Sequence, residues 1–319
     1  MANKQRKFAD DGWAIWIDGE DESDFYLNDW LNPKGKSYVD VAVNIRGVKI
    51  SKALHMYVPF IVEREEIEDV SLLFKDKKFL QATFSASCIV DYMKNEHASE
   101  IACNGKTIDI VHISTLTYEL APLSEGTLIT IDLEKLQPYL DNDEAYFIWR
   151  MPHKSLDEVF HKRINVKKLL GRLEDLITTP IISEKYNYSI RINEGRRLPE
   201  EITKKGAFHR QKLNKTVVTL SIDENYALND TACDCIRRLE GNLYQGFLPK
   251  NCKCSDIITY QWSQDREDSA QGHFNFYYNI TKDSISRASM LIYIAILLAV
   301  GVSGELLSDV VKMLFGWKL

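Results

Sequence analysis

The sequence predicts an α+β protein, a β-rich cytoplasmic body with a C-terminal transmembrane helix. Three observations predict it. Short apolar runs separated by turn signals recur through residues 12–150 and 186–280. An apolar repeat at helical spacing occupies 152–179. Ala288 to Gly304, ASMLIYIAILLAVGVSG, carries no charge over 17 residues.

The 319 residues are 45% hydrophobic and 11% aromatic, enough for a sizeable core and too apolar for a disordered chain. A formal net charge of −6 excludes a uniformly basic polyanion binder and leaves room for a local basic patch. The N-terminal MANKQRKFADDGW has basic residues but no apolar stretch behind them, so it does not read as a secretory signal. The body is therefore expected in the cytoplasm, and six cysteines do not suggest a secreted disulfide scaffold.

The expected organisation is a β-rich domain over 1–150, a linking helix over 151–180, a second β-rich domain over 181–283 and the membrane helix over 284–319. In the first stretch Trp13–Asp18, Tyr38–Ile45, Leu80–Ser87, Ile108–Ile113, Leu128–Asp132 and Tyr146–Trp149 read as strands. Val39, Val41 and Val43 alternate with Asp40, Ala42 and Asn44, a strand with one wet face. Asn104-Gly105 is a hairpin-turn signal, and Lys52–Val62 reads as a short helix. Pro152 sits near the first turn of the linking helix, whose apolar positions run from Leu156 to Ile177 before Pro180. In the second stretch Tyr186–Ile192, Thr216–Ile222, Leu243–Leu248, Ile257–Trp262 and His273–Ile280 read as strands.

The terminal segment carries more than an anchor requires. Read on to Trp317 it is long enough to cross the hydrocarbon and both interfaces, with Arg287 before it and Trp317 and Lys318 at its far end. At 100° per residue Glu305, Ser308, Asp309 and Lys312 share one stripe, which Leu298, Ile294 and Leu291 continue backwards. Beside it run Ala288, Ala295, Ala299 and Ser303, small residues that let membrane helices approach closely. An oligomer would use both features: the small seam packs, Leu291, Ile294 and Leu298 form an apolar constriction, and Glu305 and Asp309 form acidic rings. The alternatives are an amphipathic helix lying on the far interface from Glu305 onward, or a buried helix of a soluble oligomer.

Charge is unevenly placed. Residues 1–150 hold 16 Lys+Arg against 26 Asp+Glu, whereas 161–215 hold 14 against 6. Arg191, Arg196, Arg197, Lys204, Lys205, Arg210, Lys212 and Lys215 stand among Tyr186, Tyr188, Phe208 and His209. Cations neutralise phosphates and aromatic rings stack on bases, so the stretch suits a single-stranded nucleic acid or a nucleotide. A solvated loop, or a collar on anionic lipid headgroups, has the same composition.

Cys233, Cys235, Cys252 and Cys254 form two C-x-C pairs, four thiols that zinc could use, though the spacing is tighter than the usual knuckle. Packed or unligated thiols are the other reading, and no metal or cofactor is expected. Cys88 and Cys103 fall in apolar, strand-like settings and read as core, as does His112 between Val111 and Ile113. Asp40 lacks the E-x-K partner of a nuclease strand. The phosphate-binding loop, H-E-x-x-H, G-x-S-x-G and dinucleotide patterns are absent, and no enzymatic activity is expected.

The combination of a β-rich body, the basic and aromatic stretch Tyr186–Lys215 and the terminal segment Ala288–Trp317 resembles the channel-forming membrane effector of Hailong-type bacterial anti-phage defence systems. The resemblance is architectural, covers the chain coarsely and transfers no site residue. It implies an oligomeric ion channel in the bacterial inner membrane, with the N-terminal body in the cytoplasm. A partner nucleotidyltransferase encoded nearby would make a DNA oligomer that holds the channel inactive, and loss of that DNA would open it and kill the cell. A tail-anchored binding or scaffold protein without conduction is the alternative.

Overall fold

The computed structural model describes residues 8–19, 22–32, 35–84, 88–91, 95–103, 105–160, 182–204, 206, 208, 211–229, 233–244, 246–248, 257–265, 274–284 and 287–315. They form a mixed α+β protein, mostly strands in two sheets, with one long apolar helix at the C-terminal end. The contacts divide it into two units. One spans Met1–His161, Tyr186–Glu224 and Leu228–Asn279; the other spans Lys162–Lys185, Asn225–Ala227 and Ile280–Leu319.

The strands run in chain order as β1 (Phe8–Ile17), β2 (Glu22–Trp30), β3 (Tyr38–Arg46), β4 (Ala53–Val58), β5 (Glu68–Asp69), β6 (Cys88–Asp91), β7 (Ala98–Cys103), β8 (Lys106–Val111), β9 (Tyr118–Pro122), β10 (Thr127–Asp132) and β11 (Glu144–Pro152). They continue as β12 (Ile182–Ile192), β13 (Lys212–Asp223), β14 (Tyr226–Leu228), β15 (Cys235–Arg238), β16 (Ile257–Asp265) and β17 (Phe274–Ser284). The helices are α1 (Lys77–Phe84), α2 (Lys154–Phe160), α3 (Glu200–Thr203), α4 (Gly241–Tyr244) and α5 (Arg287–Phe315). One sheet has the order β14-β17-β12-β1-β4-β10-β9. The other has the order β15-β16-β13-β2-β3-β11-β8-β7-β6, with β5 beside β11.

Strands from the expected second domain complete the sheets of the first. β12 pairs in parallel with β1, and β13 pairs in parallel with β2. Residues 1–150 and 181–283 thus share both sheets. Where β12 ends, Asn193 takes a left-handed φ of 57° that asparagine tolerates better than most residues. Its Oδ1 accepts from the Ile15 N–H at 2.8 Å and its Nδ2 donates to the Ile15 carbonyl at 3.1 Å. Gly12 lies under the following turn. A Cβ there would sit 2.3 Å from the Arg197 carbonyl oxygen.

Several sequence expectations change in the structure. Leu80–Ser87 was expected as a strand, but residues 80–84 belong to α1. Asp76 caps this helix, accepting the Lys78 N–H at 2.9 Å, and Phe79 and Leu80 turn into the core. Lys52–Val62 holds β4 instead of a helix, with Leu54, Met56 and Val58 buried at a period of two. Leu243–Leu248 is not a strand. It holds the end of α4 and a turn that places the Phe247 ring 4.6 Å from Phe79. The face of β3 expected to be wet is buried: Asp40, Ala42 and Asn44 all lie inside. Ala42 packs under Phe74, Phe79, Leu80 and Phe247, so this sheet is covered there and Asp40 needs buried partners. β2 was not anticipated. Its Ser23, Asp24 and Asp29 are buried in the middle of a sheet, which hides the apolar alternation. Of the expected linking helix α2 is seen, and residues 161–179 lie outside the described residues. β7 and β8 pair antiparallel where the hairpin is expected, with Gly105 at φ 77°, and Asn104 lies outside the described residues.

Candidate membrane helix and basic segment

Helix α5 runs unbroken for 29 residues, ~43 Å at ~1.5 Å per residue. Its stretch Tyr293–Leu314 has a mean hydropathy of 2.0, and none of it is buried within the chain. It is long and apolar enough to cross a membrane of ~30 Å hydrocarbon thickness. A segment that turned at Glu305 to lie along an interface would need a break near Gly301–Gly304, and the helix has none there. Leu291, Ile294, Leu298, Glu305, Ser308, Asp309 and Lys312 are all exposed, as are nearly all described side chains of this helix. Ala295, Ala299 and Ser303 of the small seam are exposed too. Ser303 donates its hydroxyl to the Ala299 carbonyl at 2.7 Å, which satisfies it inside an apolar helix. Lys312 Nζ lies 3.6 Å from Asp309 Oδ1 one turn back. Trp317 and Lys318 lie outside the described residues.

The basic segment is folded against the body. Arg191 is next to last in β12, Arg196 and Arg197 lie on a 3₁₀ turn, and Lys204 follows α3. The carboxylate of Glu194, itself buried, holds two of these cations: Arg191 Nη1 at 3.0 Å and Arg196 Nη2 at 2.5 Å. Burial pushes the Glu194 pKa up, but the bonds from Arg191 and Arg196 outweigh it and hold the carboxyl below its usual value. Lys204 pairs with Glu200 at 2.8 Å. An open cleft of about 460 Å³ beside this segment is lined by Ser124, Glu125, Leu198, Pro199, Glu200, Glu201 and Lys204. Three carboxylates to one ammonium give it the wrong sign for phosphate.

Phe208 was expected to offer its ring to a base. It is 1% exposed, packed with Ala14, Trp16, Tyr57, Leu198 and Ile202. A buried ring has no face to stack on, and Tyr188 is buried as well. Lys215 lies on β13 opposite Asp24 and Asp265. Lys205, His209 and Arg210 lie outside the described residues, and of Lys212 only the backbone, at the start of β13, is described.

No sequence pattern announces the buried polar network between the sheets. The Leu156 N–H donates to His153 Nδ1 at 3.1 Å, which leaves the proton on Nε2. Nε2–H donates to Tyr188 Oη at 3.0 Å, and the Tyr188 hydroxyl donates to Asp11 Oδ2 at 2.7 Å. Tyr278 donates to Asp29 Oδ2 at 3.4 Å, while Asp29 Oδ1 has no hydrogen-bond partner among the described residues and lies 3.7 Å from His153 Nε2. Burial raises the Asp29 pKa well above the carboxylate range and pushes His153 down to about 3, so both groups favour their neutral forms. Each is sealed from solvent, so the network connects the sheets and presents nothing to a ligand.

His112 is buried between Ser71 and Ser99, each hydroxyl 2.8 Å from a ring nitrogen, a satisfied core histidine as expected. Cys233 is half-buried and Cys235 exposed, both as free thiols; Cys252 and Cys254 lie outside the described residues. The backbones of Cys88 and Cys103 are register partners in β6 and β7, and their side chains lie outside the described residues. Among the described residues no group of three or more His, Cys, Asp or Glu is placed to hold a metal.

No protein-family model matches the chain. No curated protein matches it in sequence.

Proposed function

We propose that this protein is an oligomeric membrane ion-channel effector. Its body lies in the bacterial cytoplasm and binds a nucleic-acid or nucleotide signal. Its terminal helices cross the inner membrane together around an ion path, and their opening depolarises the cell and kills it during anti-phage defence. The observation that carries this reading is the unbroken apolar helix α5 with a charged stripe inside its span. A lone helix would expose the Glu305 carboxylate to hydrocarbon, at ~2.5–3.5 kcal/mol for an ionised residue at the helix centre. Several helices around a hydrated lumen remove that cost, and the small seam lets them approach closely. Leu291, Ile294 and Leu298 then form a ring of side chains that blocks ions by dewetting.

The body supports the signal less strongly. Arg191, Arg196 and Lys204 already hold carboxylates, so a phosphate must outcompete Glu194 and Glu200 to engage them. The DNA oligomer, the partner nucleotidyltransferase and the lethal outcome follow from the architectural resemblance alone.

The test is direct. Purified full-length protein is reconstituted in planar bilayers and its mass measured in detergent. The channel reading expects an oligomer and stepwise current. A monomer that passes no current would refute it and leave the alternative, a tail-anchored binding or scaffold protein.

A further inference from the structure

We infer that the ion path selects cations, and that a single side chain, Glu305, sets this preference. It holds only if α5 lines a channel, as proposed above.

Three charged side chains fall within Tyr293–Leu314: Glu305, Asp309 and Lys312. They are not equivalent. The centre of that span falls between Ser303 and Gly304, so Glu305 lies ~2 Å from it, at ~1.5 Å per residue. Asp309 lies ~8 Å and Lys312 ~13 Å from the same point, approaching the edge of a hydrocarbon layer ~15 Å in half-thickness. Lys312 Nζ is 3.6 Å from Asp309 Oδ1. That pair is internal to one helix and sums to zero charge, so a ring of such pairs adds little net field to a lumen. Glu305 has no ion pair among the described residues, and its charge stays uncompensated at the level where solvation is weakest.

Gly301 is one turn before Glu305 on the same stripe and carries no side chain there. Side chains on a helix lean toward its N-terminus, so Glu305 reaches over the turn that Gly301 keeps bare. A ring of carboxylates beside a ring of glycines offers a cation both charge and space for part of its hydration shell. The apolar ring at Leu298 lies two turns before Glu305, so gating and selection occupy separate levels of one stripe.

Reversal potentials in planar bilayers under a KCl gradient test this with the full-length protein. The parent is expected to prefer K⁺ over Cl⁻. In Glu305→Gln the permeability ratio should fall to about one, because the acidic ring is the source of the preference. In Asp309→Asn with Lys312→Met, which removes the neutral pair, the ratio should remain that of the parent. Current carried by each variant shows that it has assembled. An anion-selective or unselective parent overturns the inference, as does an unchanged ratio in Glu305→Gln. Loss of preference in the double variant equal to that in Glu305→Gln overturns it as well. Absence of any current from the parent sinks the channel itself, a different result from current with an unaltered ratio.

Discussion

Removing one side of the buried pair between Arg150 and Asp40 should unfold much of the body's stability margin. Arg150 Nε donates to Asp40 Oδ1 at 2.5 Å and Nη2 to Oδ2 at 2.8 Å, while Trp30 Nε1 donates to Oδ2 at 2.6 Å. Both charged side chains are 4% exposed. Arg150→Met keeps an apolar stem beside Phe247, over whose ring the guanidinium now lies at 5.0 Å. It strips two charge-assisted bonds from a carboxylate that water cannot reach. Breaking a buried pair this way costs ~3–5 kcal/mol, most of it the penalty for the charge left behind. Asp40→Asn in the same chain removes that charge and still offers Trp30 an acceptor. The double variant should therefore recover at least half of the loss. Urea unfolding of the detergent-solubilised protein, followed by tryptophan fluorescence at neutral pH, measures both. If Arg150→Met alone costs under ~1 kcal/mol, or if Asp40→Asn deepens the loss, the pair is not the buried electrostatic unit its geometry implies.

Acid and alkali should act on the buried network with opposite signs. His153 is depressed to about 3, so its contribution is intact above the unfolded value of 6.5 and is lost as pH falls from there toward 3. Asp29 is raised, so its contribution is present below the unfolded value of 3.8 and lost as pH rises through its folded value. In an Asp29→Asn background the histidine acts alone, and unfolding free energy should drop by ~2 kcal/mol between about pH 7.5 and about pH 5, a slope that His153→Gln abolishes. Phe208→Ala should cost ~3–5 kcal/mol in urea unfolding while leaving oligonucleotide affinity in filter binding unchanged, because the ring is core and not a stacking platform. Gly12→Ala should lower the melting temperature by several degrees and expose the 194–197 turn to limited proteolysis, since the new Cβ meets the Arg197 carbonyl. Ending the chain after residue 286 should move the protein from the membrane pellet to the supernatant on cell fractionation; retention in the pellet would place the anchor elsewhere.

The legible parts of this molecule share a property: one physical signal dominates them locally. Helix α5 is apolar on most of its circumference over more than five turns, and length alone separates it from a strand. β12, β13, β16 and β17 have clear apolar alternation and were read within a few residues of their bounds. β4 was misread although Leu54, Met56 and Val58 keep a period of two, because Tyr57 on the other face is buried too and blurs the pattern. β2 was missed because its buried Asp24 and Asp29 look like loop residues until their neighbours are known. Asp24 is bonded by Arg46 at 2.7 Å, and that arginine comes from β3. The basic segment was legible as charge but not as geometry: Glu194, which gathers Arg191 and Arg196, sits inside the same run and reads there as a minor subtraction. Phe208 failed for a related reason, since an aromatic among cations looks the same in sequence whether it faces a base or Trp16. Long-range pairing decided β2, β4 and Phe208, and a local window does not contain it; the Glu194 contacts are local, but their geometry is not written in the charge pattern.

The parallel pairings of β1 with β12 and of β2 with β13 also fix an order in time. These partners stand more than 170 residues apart, so loop closure over half the chain must precede the ladder that rewards it. Until then the ten-residue β1 and the nine-residue β2 each keep one long side without a neighbour. A ribosome that has emitted only the first 160 residues therefore holds two sticky, half-built sheets, and fragments ending there should precipitate instead of folding. The early strands of this protein wait for the late ones, and a cell making it must shield them in the interval.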